Sequence, residues 1–248
     1  VSIQIQFLGC GDAFGSGGRF HTCLLVTAPA NAGQFLIDCG ASAMIAIRKF
    51  GVDPNAIDLI LLSHLHGDHF GGIPFFLLDA QLLSKRSRPL LIAGPPGTKQ
   101  RIAAAMEILF PGSTAIPWRF SLETLELDVE QPRRLGEITV TPYLVQHPCG
   151  DPPFALRVAC ANKVFTFSGD TEWTDTLVSA ARGSDLLIAE SNGFDKKIKF
   201  HLDLQTLMAH QDELQVKRLI VTHMGPEMLA RLDTLPCEYA EDGKTITL

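Results

Sequence analysis

The 248-residue sequence predicts an α/β protein, an αββα four-layer sandwich of two mixed β-sheets flanked by helices. Three observations lead there. Short strands near the start follow one another closely enough to pair locally. Helical segments fall between strands in both halves. No low-complexity linker or repeat divides the chain, so one domain over residues 1–248 is expected. With 46% hydrophobic and 19% charged residues, there is enough apolar material for a full core.

In order, "IQIQFLG" alternates and predicts a half-buried strand. "TCLLVT" and "QFLID" are short strands around the turn-forming "APANAG". "SAMIAIRKFG" predicts a helix stopped by Gly51, and "IDLILLS" a buried strand. "IPFFLLDAQLLSK" is helical, with Pro74 acceptable in its first turn. "PLLIAG" predicts a strand and "GTKQRIAAAMEILF" a helix ended by Pro111. The second half repeats the theme. "EITVTPYLVQH" is a strand ending on His147, and "FALRVAC" and "KVFTFSGD" form a hairpin about Ala161 and Asn162. "TDTLVSAARG" and "LDLQTLMAHQDEL" are helices; "SDLLIAE" and "VKRLIVTH" are strands. A short helix in "GPEMLARLD" and a strand "TITL" close the chain.

Net charge is −6 with histidine neutral, and no long basic run occurs. A large nucleic acid is therefore not the expected partner; a small-molecule substrate is. None of the six cysteines forms a CxxC pair, which suits buried free thiols in a reducing compartment. No leader pattern and no apolar run of spanning length is seen, so the expectation is cytoplasmic, without a membrane partner. The apolar "IPFFLLDAQLL" could be a core helix or a homodimer face; the core reading is the commoner.

The chemistry concentrates in "LILLSHLHGDHFGG". An apolar run ends in His64, His66, Asp68 and His69, donors that suit zinc, manganese or iron. His64 and His66, two apart on an extended segment, point the same way. Gly67 lets the chain turn and aim Asp68 and His69 at a neighbouring point. One loop can thus feed two metals. Further ligand types end apolar strands at His147, Asp170 and His223, on rigid elements suited to a defined site. Alone, any of these histidines reads as a surface or locally satisfied residue. Together they do not. His21 and His210 keep the structural or surface reading.

These residues give the chain its resemblance to the metallo-β-lactamase superfamily. The HxHxDH hallmark is His64, His66, Asp68 and His69, and His147, Asp170 and His223 follow in order over essentially the whole chain. The resemblance implies a dinuclear site. His64, His66 and His147 would hold one divalent ion. Asp68, His69 and His223 would hold the other, with Asp170 bridging; zinc is expected first, manganese or iron as alternatives. The two-zinc β-lactamases put Cys where Asp170 stands, and the flavodiiron reductases replace the second histidine, so antibiotic hydrolysis and redox chemistry are disfavoured. Glyoxalase II enzymes add a helical region for which no room remains after His223.

The chain looks most like the ribonuclease Z-like and cyclic-phosphodiesterase branch, through "IQFLGCGDAFGSGGRFHTCLLV" and "KFHLDLQTLMAH…KRLIVTHMGPEM". That likeness casts His201 as a proton donor to the leaving oxygen. The segment departs from ribonuclease Z in following His201 with Leu202 and Asp203. It also lacks a tRNA-gripping insertion and the Cys-rich extra zinc site of some phosphonate-pathway members. The Gly-rich loop 9–18 is followed by strand-like "CLLV", where a dinucleotide fingerprint needs a helix, so no nucleotide cofactor is expected.

The implied reaction is hydrolysis by a water activated between two metals, with Asp68 orienting it or accepting its proton. The substrate expected first is a small, cyclic or open phosphodiester. A lactone or other carboxylic ester shares the metals but needs no phosphate grip. A tRNA 3′-processing endonuclease stands lower, and a non-catalytic metal-binding protein would have no reason to keep all seven ligands. Glu190 reads equally as a partner of a site histidine and as a plain strand-end carboxylate.

Overall fold

Local sequence patterning turns into layers from the first strand onward. The computed structural model describes residues 2–28 and 33–248; the turn expected in "APANAG" falls on 29–32, outside them. Strand β1 (Gln4–Gly9) sends Ile5 and Phe7 into the space between the sheets and Leu8 toward the helices, as its alternation requires. After it come β2 (Cys23–Thr27), β3 (Gln34–Ile37), α1 (Ala43–Lys49), β4 (Ile57–Leu61), α2 (Gly67–Phe70) and α3 (Ile73–Leu82). Then follow β5 (Leu90–Gly94), α4 (Thr98–Leu109) and β6 (Leu122–Glu126). The second half comprises β7 (Arg133–Leu135), β8 (Ile138–Leu144), β9 (Phe154–Cys160), β10 (Lys163–Phe167), α5 (Asp175–Ala181) and β11 (Leu186–Glu190). It ends with α6 (Leu204–Ala209), α7 (Gln211–Leu214), β12 (Leu219–Thr222), α8 (Pro226–Leu229), β13 (Glu238–Tyr239) and β14 (Thr245–Thr247).

Two seven-stranded mixed sheets result, ordered β14-β1-β2-β3-β4-β5-β6 and β13-β12-β11-β10-β9-β8-β7. In each, antiparallel strands give way to parallel ones: at β3 in the first sheet, at β10 in the second. Phe7, Phe35, Phe154, Phe165 and Phe167 pack between the sheets. A second core lies under α1, α3 and α4, and a third under α5, α6 and α8. This is the αββα order the sequence predicts.

Several elements differ from expectation. Strands β8 and β10 stop at Leu144 and Phe167, so His147 and Asp170 stand on loops beyond them; only His223 directly follows its strand. The helix expected over 202–214 breaks at His210, whose ring stacks on Trp173 with centroids 4.1 Å apart. Strands β6, β7 and β13 had no counterpart in the sequence reading. The hairpin about Ala161 and Asn162 forms as expected, both residues taking positive φ (48° and 63°), which matches the twist of its strands. Helix α3 divides its apolar residues. Ile73, Phe76 and Leu77 are buried, while Phe75 and Leu82 face outward. All six cysteines are free thiols. Among the described residues no helix is long and apolar enough to cross a membrane.

Candidate metal centre

Strands β1, β3 and β4 run in one sense in the first sheet, and β8, β10, β11 and β12 share a sense in the second. The segments leaving their C-terminal ends carry every expected site residue, at the rim where α/β sheets place ligands. The loop and short helix after β4 bring His64, His66, Asp68 and His69. Across the sandwich stand His147, Asp170, His201 and His223.

Backbone fit holds this rim together. A Cβ on Gly40 would lie 2.1 Å from the Asp68 carbonyl oxygen, so only glycine lets the segment after β3 pass the metal loop. At Gly169, φ is +58° and a Cβ would meet the Phe154 carbonyl oxygen at 2.6 Å. Beside it, Phe154 N–H donates to the Ser63 carbonyl oxygen at 2.9 Å, tying the two sheets at the site. His223 N–H donates to the carbonyl oxygen of Cys10, so the Gly-rich loop starts against a site histidine. That loop is an Asp12-capped turn. Oδ1 of Asp12 accepts from the N–H groups of Phe14 and Ser16.

The seven expected ligands sort into two groups. Donor atoms of His64, His66 and His147 lie within 4.8 Å of one another, as do those of Asp68, His69, Asp170 and His223. His147 Nε2 and His66 Nδ1 are 3.0 Å apart. In the second group, His69 Nε2 is 3.2 Å from Asp68 Oδ2 and 3.2 Å from Asp170 Oδ1. His223 Nε2 is 3.1 Å from Asp68 Oδ2 and 3.5 Å from Asp170 Oδ2. His64 Nε2 is 4.0 Å from the same Asp170 oxygen, which places Asp170 between the groups.

The ring nitrogens facing away are held. His69 Nδ1–H donates to Asp38 Oδ2 at 2.6 Å. Asp38 also accepts from the backbone N–H and hydroxyl of Ser63, each at 2.7 Å, leaving the Ser63 oxygen to accept from His64 Nδ1–H at 3.1 Å. His147 Nδ1–H donates to the Phe200 carbonyl oxygen at 3.0 Å. This arrangement fixes the tautomer and aims the bare Nε2 inward, as outer partners do for metal-binding histidines. His64 Nε2, His69 Nε2 and Asp170 Oδ1 are buried without a hydrogen-bond partner in the structure. Buried polar atoms are rarely left so. Orphaned lone pairs that converge from both sheets fit divalent cations.

Charge divides the groups further. Burial pushes His64 well below the ordinary histidine value, and it lowers His66 and His147, so all three are neutral donors. For His69 and His223 burial also acts downward, but the Asp170 and Asp68 carboxylates prevail; His223 rises to about 9. Asp68 and Asp170 are held well below the carboxylate range, because those histidines outweigh burial. Two buried carboxylates thus raise the proton affinity of His69 and His223, and a cation bound at the same donors would compete with those protons.

His201 lies at the edge of both groups. Its ring centroid is 4.9 Å from that of His147, and Nδ1–H points at both Glu190 carboxylate oxygens, each 3.1 Å away. Burial pulls this imidazole down, yet Glu190 raises it above its ordinary value. Glu190, buried, is therefore the partner of a site histidine. Asp38, Ser63 and the Phe200 carbonyl escaped the sequence reading. Asp38 ends "QFLID", and a strand-end acid was the one available signal. His21 and His210 stand apart from both ligand groups.

Known proteins resemble this chain in sequence and in fold. A ribonuclease Z from Lachnoclostridium phytofermentans is 24% identical over an alignment covering 98% of the chain and 93% of the relative. The uncharacterized protein Rv1339 of Mycobacterium tuberculosis (strain ATCC 25618 / H37Rv) is 30% identical, covering 91% and 82%. In structure, the metallo-β-lactamase fold protein YhfI from Bacillus subtilis superposes with a TM-score of 0.78 at 18% identity, covering 100% and 99% of the two chains. The ribonuclease among these relatives is a hydrolase, and the fold shared with YhfI is the metallo-β-lactamase fold. The family model described as "Anti-Pycsar protein Apyc1" matches residues 3–245, and the chain belongs to that family.

Proposed function

We propose that this protein hydrolyses a small phosphodiester, cyclic in form, at a dinuclear divalent-metal centre. His64, His66 and His147 would hold one ion, Asp68, His69 and His223 the other, and Asp170 both. The nitrogen and carboxylate donors suit zinc first, then manganese or iron. Bound there, the ions supply an activated water and neutralise charge on the phosphoryl group.

The chain's own residues do the rest. Asp68 orients the attacking water or takes its proton. His201, whose proton affinity Glu190 raises, passes a proton to the leaving alkoxide, a contribution of ~10²–10⁴-fold. The observation that carries the reading is this buried-carboxylate-oriented imidazole beside two convergent ligand groups. A poor leaving group needs such a donor. The ribonuclease Z relative supports phosphodiester chemistry. Its alignment of 301 positions exceeds this 248-residue chain, so the ribonuclease has segments with no counterpart here. Together with the −6 charge, that favours a small substrate over tRNA.

The test is a paired assay on metal-analysed protein, bis(p-nitrophenyl) phosphate against a simple acyl lactone, each with zinc and with manganese. Preferential phosphodiester turnover, lost in His64→Ala, is expected. Preferential lactone turnover would overturn the reading in favour of a carboxylic ester hydrolase.

A further inference from the structure

The segment between Glu190 and His201 concentrates positive charge. Three of the nine lysines, Lys196, Lys197 and Lys199, fall within four residues there, on a chain whose net charge is −6. All three are exposed. The lysine ion pairs among the described residues belong to Lys163, Lys217 and Lys244 instead. The neighbouring acids have other partners. Asp195 stands 4.0 Å from Arg231, Glu172 Oε2 accepts from Phe200 N–H at 3.2 Å, and Asp203 accepts from the Thr206 N–H and hydroxyl, each at 2.8 Å.

The segment is braced, so these charges keep a fixed place beside the centre. A Cβ on Gly193 would lie 2.4 Å from the Lys196 carbonyl oxygen, so the turn into the segment needs glycine. His201 N–H donates to the Ile198 carbonyl oxygen at 3.0 Å. The Lys199 ammonium lies over the Phe200 ring, 4.6 Å from its centroid, and the Phe200 carbonyl holds His147. Lys197, Lys199 and His201 line one cavity of about 210 Å³.

The centre itself offers an approaching anion little net attraction. Asp38, Asp68, Asp170 and Glu190 are all buried at it, and four carboxylates would offset two divalent ions. Attraction at range must then come from charge outside the ligand set. Charges of one sign at the mouth of a cleft raise the local concentration of an oppositely charged substrate, and the three lysines are so placed.

Resting on the phosphodiester reading, we propose that Lys196, Lys197 and Lys199 form a cationic rim that draws anionic substrates to the centre by long-range attraction and selects them over neutral esters. The rim acts on approach, so its effect grows with the charge of the ligand and is screened by salt.

The experiment compares Lys196→Gln/Lys197→Gln/Lys199→Gln with Lys85→Gln/Lys163→Gln/Lys217→Gln. The second variant loses the same charge from the far rim, where β5, β10 and β12 begin. At ~10 mM ionic strength, with a Debye length of ~30 Å, the rim variant should lose about threefold in kcat/KM for the monoanion bis(p-nitrophenyl) phosphate. The loss should close at ~1 M, where that length is ~3 Å. Neutral p-nitrophenyl acetate should show no difference, and the far-rim variant should follow the wild type on both. Binding is read without turnover by calorimetric titration of zinc-loaded protein with phenyl phosphate, a dianion at about pH 8. Its affinity should fall about tenfold in the rim variant at low salt, near the square of the monoanion effect, and recover at high salt. Equal affinity in the two variants, a loss that salt leaves intact, or no binding to the wild type would overturn the rim. The titration decides it even if no phosphodiester is cleaved, the outcome that would sink the phosphodiester reading.

Discussion

His201 donates to a buried carboxylate and Asp38 is the carboxylate that accepts from His69, with different consequences for function. In the proposed reaction His201 would face the leaving group. His201→Ala should cut hydrolysis of an alkyl phosphodiester by ~10²-fold or more, yet barely affect bis(p-nitrophenyl) phosphate, whose leaving group needs little protonation. Equal losses on both would remove its donor role. Asp38 faces His69, a candidate ligand. Asp38→Asn keeps the shape but cannot accept the His69 Nδ1–H as a carboxylate does. Metal affinity should fall about 10–100-fold, measured by competition with a chromophoric chelator; an unchanged affinity would make Asp38 a folding residue only. The seven candidate ligands were legible because unusual residue types crowd one short motif and recur after apolar runs. Asp38 was not, since one acid after a strand looks like any turn residue. The Phe200 carbonyl carries no residue-type signal at all. Its φ of 70°, uncommon for a bulky side chain, is invisible until the chain folds.

Elements position these residues through contacts that leave no slack. Gly40→Ala must push back both the Asp68 carbonyl and the His21 Cβ, 2.1 Å and 2.5 Å from the added carbon. A destabilisation of about 1–3 kcal/mol is expected, together with weaker metal binding, because the displaced backbone carries the candidate ligand Asp68. A lowered Tm with full metal affinity would show that the loop yields elsewhere. At this scale the sequence was readable wherever burial imposes a period, as in β1, β4 and α1. It was unreadable where burial is slight. Strand β6 exposes Glu123 and Glu126, β7 exposes both its arginines, and β13 has two residues. Pairing with a neighbour, not hydrophobicity, makes these strands. The break at His210 arises likewise from a tertiary contact, the stack on Trp173.

Across the whole molecule, four candidate ligands come from one half of the sandwich and three from the other. Metal that binds only the folded state stabilises it by mass action, so Tm should climb with added zinc and fall on chelation. Proton linkage sharpens this. His223 is raised from 6.5 to about 9, so its contribution to metal-free stability is complete below 6.5 and is lost as pH rises through about 9. Metal affinity improves over the same window as the ligands shed protons. The Tm difference between metal-loaded and metal-free protein should therefore widen from pH 6.5 to 9; a constant difference would show that His223 is not displaced by metal. The split of ligands between halves also sets an order of events in time. In the unfolded chain His64, His66, Asp68 and His69 already lie within six residues of one another, whereas His147, Asp170 and His223 meet them only once the sheets close. A chain refolded in excess zinc can capture the ion on its first loop and must then release or reorganise it before the sheets close. Refolding should be slower with zinc present from the start than with zinc added afterwards, making metal loading the final step of maturation.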